Sequence, residues 1–209
     1  LFFLSIEHFH SFVKIKKVPK LFFGIVTIES SKARRETMYD LWIQKILEYG
    51  HDYIYCTEKP IEPKFKWIPV KNWTEYWPRI TNQMYYPNRD RENKRISMAN
   101  YFLQTDSDFF INPTDDVFVD SSRINQFAKE LGSKYDTEHD LILKGNCMLN
   151  ILHGGSGYIM TRKMASIFVN LSERWTRESA GPDDIEMNRF LKYVNLTIKD
   201  GASPYMSGR

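Results

Sequence analysis

Cysteine is nearly absent from this chain: two in 209 residues, Cys56 and Cys147, far apart and in no CxxC spacing. That excludes a disulfide-built miniature fold and a cysteine zinc cage, and leaves either one disulfide or two buried thiols. There is no long hydrophobic run. No stretch approaches the ~20 apolar residues of a membrane span. No charge of one sign dominates, since 29 Lys+Arg against 26 Asp+Glu give a net charge of +3. A nucleic-acid partner, which needs clustered basic residues, is therefore not indicated. The only basic run is short, Lys14 to Lys20, and it reads with the rest of residues 1–20 as a stem or linker ahead of a domain over 21–209. Internal repeats and low-complexity tracts are also missing. What remains has the balance of a globular protein, 42% hydrophobic and 26% charged, with aromatics at 15%.

Apolar runs and helical stripes alternate along the chain. Leu21 to Ile28 is short, apolar and rich in β-formers, as a strand buried on both faces must be. A helical face follows on Met38, Leu41, Trp42, Ile46 and Tyr49, closed by Gly50, and Asp52 to Thr57 returns as a second strand. Phe65 to Val70 is a candidate third strand, Arg91 to Asn100 a helix, and Tyr101 to Thr105 a fourth strand. Asp120 and Ser121 can cap a helix through Leu131 that Gly132 stops. Leu141 to Leu143 and Tyr158 to Met160 read as strands, Met164 to Trp175 as a helix, and Pro182 as the first residue of a last one. The order predicts an α/β domain with a mostly parallel central sheet. Ligands of such sheets collect beyond the carboxyl ends of the strands.

Three constellations carry chemistry. Asp106-Ser107-Asp108 follows the apolar Tyr101–Gln104 run. Two carboxylates at a strand end can hold Mg²⁺ or Mn²⁺, which take oxygen ligands and bridge to diphosphate. The bland reading is a turn with solvated aspartates. An EF-hand is excluded, because Ile111 and Val117 stand where its Gly and Glu belong. A rival pair, Asp115-Asp116, lies a few residues on; the strand placed before Asp106 favours the first pair. His153-Gly154-Gly155-Ser156-Gly157 permits close backbone approach to a ligand, though it is neither a P-loop nor a GxGxxG turn. Pro182-Asp183-Asp184 puts acids in a helix's first turn, where they complement the dipole or supply a general base.

In this order and spacing the pieces resemble the fringe-like β1,3-glycosyltransferases and their core-1 galactosyltransferase relatives. GIVTIESSKARRETMYDLWIQ is similar to that family's first strand and helix, YFLQTDSDFFIN to its apolar strand and D-D-D motif, HGGSGYIMTRKMA to its G-G-A-G-[FY] segment, and GPDDIEMNRFL to its [PE]-D-[DV] motif. The resemblance covers about residues 21 to 200. It implies a GT-A fold and an inverting transfer of a hexose or N-acetylhexosamine from a UDP-sugar to a hydroxyl of a glycan or glycoprotein. It also implies Mn²⁺ (or Mg²⁺) as cofactor. By position, Asp108 would bind the metal with Asp106, and Asp184 would be the base. Thr27, Arg34, Glu58, Asp106 and Ser107 would lie at the nucleotide sugar. Gly155, Ser156, Gly157 and Asp183 would shape the donor and acceptor pocket.

The sequence departs from the family at Ser107, at an insertion over Pro113 to Val119, and in lacking the downstream metal-ligating His before Arg209. These departures keep a second reading open, a catalytically silent relative that binds or chaperones. Three sequons, at Asn72, Asn170 and Asn195, fit a secretory route. The resemblance adds a Golgi enzyme held to the membrane by an N-terminal anchor outside this chain.

Overall fold

A computed structural model of the chain describes residues 17–70, 86–148, 151–153, 157–172, 187, 190–195 and 206–207. Its centre is a six-stranded sheet. Four strands are mutually parallel: β1 (Leu21–Val26), β2 (Asp52–Thr57), β3 (Trp67–Pro69) and β4 (Phe109–Asn112). The strands β6 (Leu143–Lys144) and β9 (Tyr158–Thr161) complete the order β3-β2-β1-β4-β9-β6, with β9 antiparallel to both its neighbours. Two small two-stranded sheets flank it. One joins β5 (Phe118–Val119) to β10 (Met206–Ser207); the other joins β7 (Asn146–Met148) to β8 (Ile151–His153).

The sheet is covered on both faces, which is why its strands are apolar throughout rather than alternating. Leu21, Phe23 and Ile25 of β1, with Phe109 and Ile111 of β4, face one layer. That layer holds α1 (Lys32–Met38), α2 (Gln44–Glu48) and α4 (Ile124–Lys134). Phe22, Val26, Phe110 and Met160 face the other, built from α3 (Tyr86–Phe102) and α5 (Arg162–Asn170). Between α1 and α2 the helix opens into a π-turn over Tyr39–Ile43. Local signals behave as their chemistry requires. Gly50 takes φ +82° to end α2, where an L side chain would be strained. Asp120 caps the turn Ser121–Arg123 by accepting from the Ser122 N–H, and Thr161 accepts from the Met164 N–H at the head of α5. Helix α4 runs through Gly132 to Lys134, and the glycine serves packing rather than termination: a Cβ there would stand 2.3 Å from the Pro19 ring.

The mostly parallel α/β architecture is as expected, but one element differs. Tyr101–Thr105 is not a strand. Ile96, Ala99 and Phe102 are buried at a spacing of three, the stripe of a helix, and α3 runs through Phe102. The turn that follows is pinned by Arg162, whose guanidinium donates to the carbonyls of Leu103, Thr105 and Ser107 at 2.9, 3.1 and 2.7 Å. It lies 5.1 Å from the Phe102 ring centroid. Those carbonyls belong to the turn beyond the helix end. The fourth strand is instead Phe109–Asn112, so Asp106, Ser107 and Asp108 precede it. Cys56 is a buried free thiol whose pKa burial pushes up to about 12, so it stays protonated and inert.

Candidate functional site

Strand order decides where a ligand can sit. From β1 the chain winds outward through β2 to β3, then returns to the other side of β1 as β4. The switch point therefore lies between β1 and β4, and the crevice beyond their carboxyl ends is the place such sheets bind ligands. There the chain leaves β1 as Thr27 and leaves β4 as Asn112-Pro113-Thr114-Asp115-Asp116. The two strands hold together one step further through the Val26 N–H donating to Pro113 O at 3.0 Å.

One connected network crosses this crevice. The Thr27 hydroxyl donates to Asp115 Oδ2 at 2.8 Å, and Arg34 Nη1 donates to Asp115 Oδ1 at 3.0 Å. Lys94 Nζ donates to the Thr27 carbonyl at 2.8 Å and reaches Glu58 Oε1 at 2.6 Å. Asp115 is largely buried, Asp116 is exposed, and Asp116 accepts from the Thr114 hydroxyl. Lys94 is only 2% exposed, so its charge is held by Glu58 and by main-chain oxygen rather than by bulk water. Beside it Arg95, fully buried, donates to Asn112 Oδ1 at 2.7 Å and to Glu92 at 2.8 Å. Asn112 in turn donates to Gly24 O at 2.6 Å, which locks β4 to β1 just below the crevice. Gly24 lets α3 approach: a Cβ at that position would lie 3.0 Å from the Met98 Cβ.

The loop after β1 is fixed independently. Arg35, 1% exposed, donates to the carbonyls of Ile28 and Glu29 at 2.5 and 2.9 Å and pairs with Glu62 at 3.1 Å. On the far side β9 enters the sheet opposite Asn112, with Gly157 just before it at φ +89°. A Cβ on Gly157 would stand 2.6 Å from Asn112 O, so only glycine permits this contact between the β9 entry and the end of β4.

Of the residues singled out from sequence, Thr27, Arg34, Glu58 and Gly157 meet at this edge. Asp106, Ser107 and Asp108 do not. They lie at the opposite, amino end of β4, because the strand that was to precede them is the end of α3. Asp106, 74% exposed, is held by Lys20 Nζ at 2.5 Å, a contact that keeps its carboxyl below the usual range. Asp108 accepts from the Lys20 main-chain N–H at 2.6 Å and lines a separate cavity of about 390 Å³ with Pro19, Gly132 and Asp136. The Ser107 hydroxyl is buried without a hydrogen-bond partner among the described residues. A shared cleft of Asp106 and Asp108 with Thr27 and Arg34 is thus corrected: the carboxylates in that position are Asp115 and Asp116. Gly155, Ser156, Asp183 and Asp184 lie outside the described residues.

Sequence reasoning missed Lys94, Arg95 and Asn112. Their signal was there: the run Glu92 to Arg95 is polar, with three of its four residues charged, yet it leads directly into the buried stripe of α3. Four consecutive polar residues on every face of a helix that must pack on a sheet call for partners.

No family model matches the chain, and no curated protein matches it by sequence. Among solved structures, the chain is similar to CMP:2-keto-3-deoxy-manno-octonic acid synthetase complexed with CTP, with TM-score 0.52, 10% identity, and coverage of 88% of this chain and 90% of that one. It is also similar to a glycosyltransferase involved in glycosylation of the major capsid of PBCV-1, with TM-score 0.49, 13% identity and coverage of 88% and 82%. A third is the galactosyltransferase LgtC in complex with donor and acceptor sugar analogs, with TM-score 0.46, 11% identity and coverage of 81% and 70%. The first likeness is one of fold alone, a mixed α/β architecture around a mostly parallel central sheet; the other two are too loose to add to it.

Proposed function

We propose that this protein is a glycosyltransferase that takes a nucleotide-sugar donor, UDP-linked in the first instance, and passes the sugar to a hydroxyl of a glycan or glycoprotein. The observation that carries the reading is the network at the switch point: a hydroxyl, two carboxylates, two cations and a glycine-tight backbone at the ends of adjacent parallel strands. Sheets of this order bind nucleotides in that crevice.

A divalent cation fits the residues present. Asp115 and Asp116 offer hard oxygen donors on adjacent positions, and no group of three or more His, Cys, Asp or Glu forms a closed cage among the described residues. Mg²⁺ and Mn²⁺ suit such open sites, since they are commonly held by one or two carboxylates with water and substrate phosphate completing the shell. Bound there, the ion would offset the charge that develops on a leaving diphosphate. Both Asp115 oxygens are already oriented by Thr27 and Arg34, so the carboxylate is preorganised. Lys94 is a second cation at the same edge, held by Glu58 until an anion competes for it. In the transfer, the acceptor oxygen forms a bond to the anomeric carbon as that carbon's bond to phosphate oxygen breaks. The diphosphate leaves with the electron pair, and the acceptor proton passes to a base, for which Asp184 is our candidate.

The test is a turnover screen. With Mn²⁺ present, the chain should slowly hydrolyse at least one UDP-sugar and release UDP, and removal of the metal by chelation should abolish this. Asp184→Asn should leave donor binding intact and lower turnover by about 10²-fold or more. Absence of binding to every nucleotide sugar, with the protein folded, would refute the reading.

A further inference from the structure

A second cavity opens next to this site, on the α1 side of the sheet. It measures about 680 Å³, and its lining includes Arg34, Thr37, Leu41, Trp42, Asp116 and Phe118. Asp115 and Asp116 form the wall it shares with the crevice, so anything held in the cavity lies beside the proposed donor. Its size is within the range of about 300–1,000 Å³ typical of small-molecule sites.

Three features distinguish it from an accidental surface hollow. The π-turn Tyr39–Ile43 falls on its lining and carries both Leu41 and Trp42. Such bulges give up regular helix geometry and concentrate at functional sites. Trp42 is 1% exposed, yet its indole Nε1 has no hydrogen-bond partner among the described residues. A buried N–H without an acceptor is disfavoured unless something else supplies one. Leu41 and Phe118, by contrast, are 58% and 50% exposed, an unusual position for two large apolar side chains on the rim of one cavity.

We infer that this cavity is the acceptor subsite, and that it takes a carbohydrate of one or two sugar rings. The inference rests on reading the Asp115 edge as the donor site. A pyranose has an apolar C–H face and a rim of hydroxyls. The cavity offers the complement: Phe118 and Leu41 for the C–H face, the Asp116 carboxylate and the Arg34 guanidinium for hydroxyls, and the Trp42 indole as a donor to a sugar oxygen. A purely aliphatic ligand would leave the indole N–H without an acceptor and add nothing to Asp116 and Arg34, and a polyanion would meet two carboxylates.

The experiment follows the Trp42 indole N–H resonance in the ¹⁵N-labelled chain, assigned with Trp42→Phe. Methyl glycosides of hexoses and N-acetylhexosamines, and disaccharides built from them, are titrated without nucleotide or metal. A saturable shift is expected with at least one of them. Phe118→Ala, which removes only an exposed ring, should weaken that binding by roughly 3- to 10-fold while UDP–Mn²⁺ binding changes less than about twofold. Saturation transfer from protein to the same glycosides, reduced in Phe118→Ala, is a second readout independent of the assignment. An indole that stays unmoved by every glycoside, a response untouched by Phe118→Ala, or an equal response to n-octanol would overturn the proposal. Sugar binding without any UDP–Mn²⁺ binding would instead remove the donor-site reading and with it the acceptor role. UDP–Mn²⁺ binding with a silent cavity would remove the acceptor subsite alone.

Discussion

Alanine at Asp115 and alanine at Asp108 should behave oppositely, and the contrast tests which end of β4 holds the site. The strand between them is Phe109–Asn112, four residues, or about 13 Å of extended chain. A single ion cannot use both ends. Asp115→Ala removes an oriented carboxylate from the proposed metal shell. Losing even an outer-shell partner typically costs 10- to 100-fold in metal affinity, so direct loss should weaken UDP–Mn²⁺ binding by about 100-fold or more. The fold should survive. Arg34 is 61% exposed, so its ion pair contributes only about 0–1 kcal/mol. The Thr27 hydroxyl bond to a charged, largely buried acceptor adds about 1.5–3 kcal/mol. Asp108→Ala loses the bond from the Lys20 main-chain N–H, a stability cost of about 1–2 kcal/mol, with nucleotide affinity unchanged within about twofold. Asp106→Ala should alter neither property measurably. The assay is calorimetric titration of UDP in the presence of Mn²⁺ at a temperature where all variants are folded by circular dichroism. Loss of binding in Asp108→Ala, with Asp115→Ala retaining it, would return the metal to the amino end of β4 and refute the reasoning.

Three further outcomes follow from the same geometry. Lys94→Met should destabilise the protein by about 1–3 kcal/mol in chemical denaturation, below the range for a fully buried pair because Glu58 is 34% exposed, and should also lower nucleotide affinity; unchanged values for both would mean that Lys94 holds nothing at this edge. Gly157→Ala combines a left-handed φ with a backbone collision at Asn112 O, so it should destabilise by about 2–4 kcal/mol, and a Tm within about 2 °C of the parent would contradict the described contact. His51 accepts from the Leu21 N–H through Nδ1 and meets Asn125 Oδ1 through Nε2, and burial lowers its pKa despite the raising effect of the Asn125 contact. The unfolded chain therefore binds the proton first. This contribution to stability is complete above about pH 6.5, falls as pH drops below that value towards the folded pKa, and levels off beneath it. Denaturation midpoints from pH 8 to pH 5 should show that slope flatten in His51→Gln; an identical slope would assign the pH dependence to other groups.

The sequence was most legible where one physical constraint acted alone. The strands β1 and β2 are buried on both faces, so Leu21–Val26 and Asp52–Thr57 stand out as apolar runs whatever packs on them. Helices α4 and α5 bury one clear stripe each, Phe127-Ala128-Leu131 and Met164-Ala165-Phe168, and were visible for that reason. The failure came where two periodicities overlap. Tyr101-Phe102-Leu103 satisfies a short strand run, but Phe102 also completes the three-residue spacing begun at Ile96 and Ala99. A helix seventeen residues long wins over a strand of five because each turn adds packing against the sheet.

That one misassignment explains the misplaced carboxylates. Thr27 and Glu58, which the resemblance put at the nucleotide, follow β1 and β2 directly. The aspartates were placed from strand position, just beyond the carboxyl end of a central strand, but with the wrong strand preceding them. Moving the strand from Tyr101–Thr105 to Phe109–Asn112 carries the rule from Asp106 and Asp108 to Asp115 and Asp116 without altering its logic. Lys94 and Arg95 were illegible for a different reason: their charges lie within a helix that packs on the sheet, and only the crossing of α3 over Gly24 brings them to the ends of β1 and β4. The buried cations are intelligible once the oxygen atoms around them are known, and those atoms, Thr27 O and Glu58 Oε1 at Lys94 and Asn112 Oδ1 at Arg95, lie at the ends of three separate strands that only the fold assembles.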